Sequence, residues 1–204
     1  MRIPQSKVSA SDVQACCQEL LQKHVALKDY SASCPSATLY SVLLYAASCI
    51  TSILAACSRL RDAPDEQVLY DALAATLPNQ QELQRRLNRG LLATLPRAFR
   101  KRKGRKRLPV ACDLFLIPYY GSAKDDPNEV YRAGKKDGTN NFHAYATAYI
   151  CYRGMRFTLS CMTVPAHTPL TLILKTLLRH VKQILKGFAL VLLDRGFWSA
   201  EVIS

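Results

Sequence analysis

The chain has 204 residues, enough for one good-sized core, or for one domain with a helical appendage. It is 49% hydrophobic with ordinary Gly and Pro content, which excludes a disordered chain. Lys and Arg number 28 against 15 acids, a net charge of +13, which favours a polyanionic partner, either nucleic acid or an anionic membrane surface, and says nothing about fold.

Residues 1–15 contain no apolar stretch of the kind a secretory signal carries. Of the eight cysteines (Cys16, Cys17, Cys34, Cys49, Cys57, Cys112, Cys151 and Cys161), none forms a C-x-x-C pair. The spacing of a zinc ribbon or a thioredoxin-like site is therefore missing, and reduced thiols packed as small hydrophobes are expected.

A short opening segment, 13–27, reads as helical. Residues 39–57 (LYSVLLYAASCITSILAAC) carry no charge and are just long enough to span a bilayer. Against a span stand Ser41, Ser48, Thr51 and Ser52 and the lack of an anchor at the N-terminal flank. The spacing of Leu39, Leu43, Ala46, Ala47, Ile50, Ile53 and Leu54 instead predicts one buried helix face, with the helix running to about Arg59. No membrane is expected as a partner.

Pro64 sits where a first helical residue belongs, with Asp65 and Glu66 at the positive end of the helix dipole. That helix is expected to end at Leu77 and Pro78. The next opens at Asn79 with Glu82 three residues on, an Asn-capped variant of the capping box, and carries a stripe of Leu83, Leu87, Leu91 and Leu95. Such a pair fits either a helix-turn-helix or an ordinary helical hairpin. Residues 97–107 (RAFRKRKGRKR) then hold eight Lys or Arg in eleven positions: Arg97, Arg100, Lys101, Arg102, Lys103, Arg105, Lys106 and Arg107. The run reads equally as a solvated linker and as a segment that neutralises several phosphates.

Beyond residue 108 the period changes. Residues 110–117 (VACDLFLI), closed by Pro118, read as a buried strand. Residues 122–141 form a long loop that bears Lys135 and Lys136 and could follow a DNA backbone, although Asp125, Asp126 and Glu129 argue against a purely basic groove. Residues 142–152 and 155–164 read as strands joined through Arg153 and Gly154. Thr168 and Pro169 open a helix with Leu170, Ile173, Leu174, Leu177, Leu178, Val181, Ile184 and Leu185 on one face. Lys175, Arg179, Lys182 and Lys186 lie largely off that face, and Gly187 ends it. Residues 188–193 (FALVLL) form a last strand, made parallel to a neighbour by the helical crossover.

Two acids interrupt this apolar pattern. Asp113 lies inside the first strand and Asp194 directly follows the last, 194 − 113 = 81 residues later. Each taken singly is explained by an Arg partner or a turn cap. Together, on strands lying side by side, they could share a divalent ion, and oxygen ligands suit Mg²⁺ or Mn²⁺. Two such ions can activate a water and stabilise the leaving oxygen in phosphodiester cleavage. Nearby, His143 is a structural or site-orienting residue, Arg195 a DNA contact or a charge balance, and Gly196 a residue that permits a tight turn. Phe197 and Trp198 are expected to pack a following helix.

Residues 113–121 (DLFLIPYYG), 138–147 (GTNNFHAYAT) and 192–197 (LLDRGF) resemble the insertion-sequence transposases of the DDE class, in the branch found in halophilic archaea and cyanobacteria. The likeness covers most of the chain from about residue 60. Asp113 and Asp194 match the family's first and second catalytic Asp. The resemblance implies a ribonuclease-H-like α/β fold and Mg²⁺-dependent DNA strand cleavage and transfer at transposon ends. It also implies double-stranded DNA of the terminal repeats as partner, in a cytoplasmic, nucleoid-associated protein. The family's third ligand is a Glu on a later helix, within a Tyr-Arg-Glu-Lys pattern. Here only Glu201 follows Asp194, and it is too near to fill that place. The expectation is thus a helical region at 1–96, a basic linker at 97–108, and at 109–204 a partial core with strands 1–4 and the first crossover helix. Such a truncated or split transposase would act as a homodimer or beside a full-length transposase. The alternative is a DNA-binding fragment that cuts nothing and inhibits the full-length enzyme.

Overall fold

A computed structural model describes residues 8–96, 99, 107–121, 128–185 and 187–203. The chain divides into two compact units, Met1–Gly90 and Leu91–Ser204.

The first unit is helical. Helix α1 (Ala10–His24) starts at a capping box in which Ser9 and Asp12 satisfy each other's backbone N–H groups. Helix α2 (Ser36–Cys49) follows a loop in which Asp29 accepts from both the N–H and the hydroxyl of Ser36 at 2.7 Å, bonds that hold its carboxyl below the ordinary carboxylate range. The single helix expected over 39–59 is broken. Helix α2 ends with Ile50 in the left-handed region, helix α3 (Ile53–Arg59) starts anew from Ser52, and the two axes bend by 109°. The residues at the break explain it. Ile50 and Thr51 are β-branched and poor at continuing a helix, while the Ser52 hydroxyl takes the Ala55 N–H and caps a new one. The predicted apolar face fails at the same place: Ile50 is 95% exposed and Leu54 and Ala47 are exposed, whereas Leu39, Tyr40 and Val42 are buried. Among the described residues no single helix is long and apolar enough to cross a membrane, although the bent α2–α3 pair reaches that length together.

Helix α4 (Glu66–Thr76) is capped by Asp65, which accepts from the Gln67 N–H, so Pro64 precedes the helix rather than opening it. In helix α5 (Gln80–Ala93) the Asn79 side chain accepts from the Glu82 N–H at 2.9 Å, as the sequence predicts. Leu87 of its predicted stripe is exposed. Val25, Leu27, Cys34, Leu39, Tyr40, Val42, Ala56, Leu69, Ala72 and Leu73 make the unit's core, and the buried Tyr40 hydroxyl takes the Leu27 N–H at 2.8 Å.

The second unit is a five-stranded mixed sheet with one long helix upon it. Its strands are β1 (Val110–Pro118), β2 (Tyr131–Lys136), β3 (Thr139–Tyr152), β4 (Met155–Val164) and β5 (Val191–Leu193). Strand β3 pairs antiparallel with β1 on one edge. On its other edge β2 pairs near residues 139–142 and β4 over 144–152, while β5 runs parallel to β1. Two-residue turns close both hairpins with positive φ at each position, Asp137–Gly138 and Arg153–Gly154, the geometry that matches strand twist. The first hairpin corrects the sequence reading: residues 131–136 are a strand, not part of a long loop. The last strand is shorter than the predicted 188–193.

Helix α6 (Leu170–Leu185) supplies the crossover between β4 and β5. It buries Ile173, Leu177 and Val181 against Ala144, Ala146, Ala148, Ile150 and Leu159, and its exposed residues include Lys175, Arg179 and Lys182. The three alternate alanines of β3 remove side-chain bulk beneath the helix. The fourth basic residue expected there, Lys186, lies outside the described residues. A 3₁₀ turn (Arg195–Phe197) and a short helix α7 (Ala200–Ile203) follow β5.

Candidate metal and phosphate site on the open sheet face

Strand alternation decides which side chains meet. On β1, Val110 and Cys112 are buried and Leu114 and Leu116 pack on the core beneath α6. Ala111, Asp113, Phe115 and Ile117 therefore occupy the opposite, open face, and Phe115 and Ile117 are exposed there. Asp113 is half-buried rather than sealed in a dry core, so solvent reaches it.

The parallel register runs Val110↔Val191, Ala111↔Leu192, Cys112↔Leu193. The Asp194 N–H donates to the Cys112 carbonyl at 3.1 Å and carries the ladder one residue past β5. Asp194 is itself extended (φ −70°, ψ 161°). Hence Asp113 and Asp194 take neighbouring positions on adjacent parallel strands and share the open face. Among the described residues neither carboxylate forms an ion pair. Asp194 does open the 3₁₀ turn, but through its backbone carbonyl, which accepts from Phe197 at 2.9 Å; its side chain makes no capping bond.

Antiparallel pairing extends the row. Thr147 of β3 faces Asp113, and Cys161 of β4 faces Thr147, so Cys161, Thr147, Asp113 and Asp194 cross the sheet in one line. Burial pushes the Cys161 thiol up and keeps it protonated.

Gly196 closes the site from beneath. It lies within the tight 3₁₀ turn without positive φ, and a Cβ there would lie 3.0 Å from Cβ of Leu114. The turn after Asp194 packs directly on β1, and buried Phe197 pins it to the core while Trp198 is 81% exposed. The two aromatics thus part ways: only Phe197 packs inward.

The remaining predicted residues are dispersed. His143 shares the open face, with its ring 4.7 Å from that of Tyr119, but it lies four residues from Thr147 along β3, about 13 Å at strand rise. Lys135 and Lys136 are exposed at the far end of β2, where Lys136 pairs with Thr139, roughly 26 Å along β3 from Thr147. Arg195 is exposed directly after Asp194, and Arg107 is exposed with its side chain near Gly187. Arg97, Arg100, Lys101, Arg102, Lys103, Arg105 and Lys106 lie outside the described residues.

Sequence reading missed Arg156. Its guanidinium lies 3.7 Å over the Tyr149 ring and reaches to 3.5 Å from the Thr147 hydroxyl. Alternation back from the Arg153–Gly154 turn would have put it on a face, but only the register shows which neighbours it meets.

Among the described residues no three His, Cys, Asp or Glu side chains gather as a metal-binding group, and Glu201 is exposed on α7. Two neighbouring carboxylates still fit Mg²⁺, which keeps most of its waters and takes one or two carboxylates alongside substrate phosphates. No family model matches the chain, and no curated protein or solved structure matches it either.

Proposed function

We propose that residues 109–204 form a ribonuclease-H-like core of a DDE-class transposase, which binds double-stranded DNA at transposon ends and cleaves and transfers its strands with Mg²⁺ or Mn²⁺. The observation that carries this reading is the pair Asp113 and Asp194, in register on adjacent parallel strands, with neither carboxylate in an ion pair among the described residues. The strand order β4–β3–β1–β5, with a helix crossing from β4 to β5, supports the ribonuclease-H-like assignment.

In this reading Asp113 and Asp194 are the metal ligands. A divalent ion held by them would supply charge stabilisation at the phosphodiester and acidify a bound water. The chain's own contribution is placement. Asp113 is fixed mid-strand, and Asp194 is held by its ladder bond to Cys112 and by the packing of Gly196 on Leu114. Arg195, Arg107 and the basic residues between 97 and 106 would neutralise backbone phosphates, while Lys135 and Lys136 would touch DNA farther along the sheet. His143 lies too far along β3 to orient either acid. Work on paired ends would call for a homodimer or a full-length transposase as partner, in a nucleoid-associated setting.

A second reading, in which the chain holds DNA without cutting it, is favoured by the gathering of two acids rather than three among the described residues. Nicking of a supercoiled plasmid carrying the element's ends, with Mg²⁺, separates the two. Nicking that Asp113→Ala abolishes supports the enzyme. Tight duplex binding without nicking, unchanged in Asp113→Ala, supports the holding role, and neither nicking nor binding contradicts both.

A further inference from the structure

The open sheet face carries two carboxylates, and a phosphodiester approaching them is repelled unless a cation lies within reach. Lys135 and Lys136 are too distant, at the tip of the β2–β3 hairpin. Arg156 is not. Its Cα pairs with Cys151, yet its side chain runs back over Tyr149 to the hydroxyl of Thr147, the residue facing Asp113. Facing residues on antiparallel strands have Cβ atoms roughly 5 Å apart. The guanidinium therefore ends close to the carboxylate row, within a few nucleotide steps of about 3.4 Å rise each along one strand.

We infer that Arg156, stacked over the Tyr149 ring and reaching Thr147, is a phosphate-binding residue that seats the DNA backbone beside Asp113 and Asp194. This rests on the reading that the open face takes DNA. Three features support it. Arg156 is exposed, so burial does not require the ring contact. Among the described residues it makes no ion pair, and its donor contact to the Thr147 hydroxyl, at 3.5 Å, leaves most of its five N–H groups to solvent. A guanidinium held over an aromatic ring keeps its planar fork of donors, which suits a phosphate.

The test is fluorescence anisotropy of a labelled 30-base-pair duplex of mixed sequence against the full chain, repeated across NaCl concentrations. Arg156→Gln should weaken binding about five- to tenfold and lower the slope of log K against log salt by about 0.9, the loss of one phosphate contact. Arg156→Lys should keep the slope and recover only part of the affinity. Arg153→Gln removes an equal charge from the tip of the same hairpin and should leave the slope unchanged. Should Arg156→Gln fail to fold, Tyr149→Leu serves instead: it keeps the charge, removes the platform, and should lower affinity severalfold at constant slope. An unchanged slope in Arg156→Gln, an equal loss in Arg153→Gln, or unchanged affinity in Tyr149→Leu overturns the role of Arg156 and leaves DNA binding standing. Failure of the wild-type chain to bind the duplex overturns both.

Discussion

Asp194 continues the ladder with β1 one residue past the end of β5, and Gly196 lets the turn that follows pack on that strand. Because a Cβ at 196 would stand 3.0 Å from Cβ of Leu114, backbone-proximal and unable to swing aside, Gly196→Ala should push the turn away from β1. The expected cost is about 1–3 kcal/mol of stability, as for other overpacked sites, read by urea denaturation. It should also weaken any divalent ion bound at Asp194. The acids themselves should behave differently. Asp113 is half-buried, Asp194 is exposed, and among the described residues neither has an ionic or capping partner, so Asn at either position should change stability by no more than about 0.5 kcal/mol. A loss of several kcal/mol would show that the carboxylates have a structural role. Both acids stood out in the sequence because they break apolar runs. Their neighbours did not, since Thr147 and Arg156 acquire meaning only through register, and a one-residue slip would move either to the other face.

At the scale of single elements, α6 and the second hairpin were legible, and β2 and the α2–α3 break were not. Helix α6 announces itself by a long apolar stripe, and the stripe is what it buries. Leu177, wholly buried against the sheet, should cost about 2–5 kcal/mol on replacement by Ala, measured by thermal or urea unfolding. Strand β2 (YRAGKK) shows no apolar alternation because it is an exposed edge, and only the Asp137–Gly138 turn betrays it. The run over 39–57 looked continuous by hydropathy, but the Ser52 hydroxyl takes the Ala55 N–H and starts a new helix after the β-branched Ile50 and Thr51. Helix α5 is tied down by charge. Glu82 accepts from Arg85 and from Arg86, and Arg86 also donates to the Val25 carbonyl at 2.6 Å. These hydrogen bonds lower the Glu82 carboxyl from 4.5 to about 2. A depressed carboxyl stabilises the fold above its unfolded pKa, and that contribution fades as pH falls through the folded value. Glu82→Gln should therefore lower Tm at pH 7, and the gap from wild type should close between pH 4.5 and about 2. A gap that persists at pH 2 would mean the side chain acts through packing instead.

For the whole molecule, the net charge of +13 pointed to a polyanion, while the charge-bearing run between 97 and 106 lies outside the described residues. If that run engages DNA, replacing five of its Lys and Arg with Gln should reduce the salt slope of duplex binding by about 4.5; an unchanged slope would make it a solvated linker. The proposed function rests most heavily on the two carboxylates acting as one site. The most direct test is Mn²⁺ titration of the chain bound to a 30-base-pair duplex, followed by electron paramagnetic resonance, for wild type, Asp113→Asn and Asp194→Asn. A bound Mn²⁺ is expected in the wild type and should be lost, or weakened more than tenfold, in each variant. Equal Mn²⁺ binding in all three would contradict it.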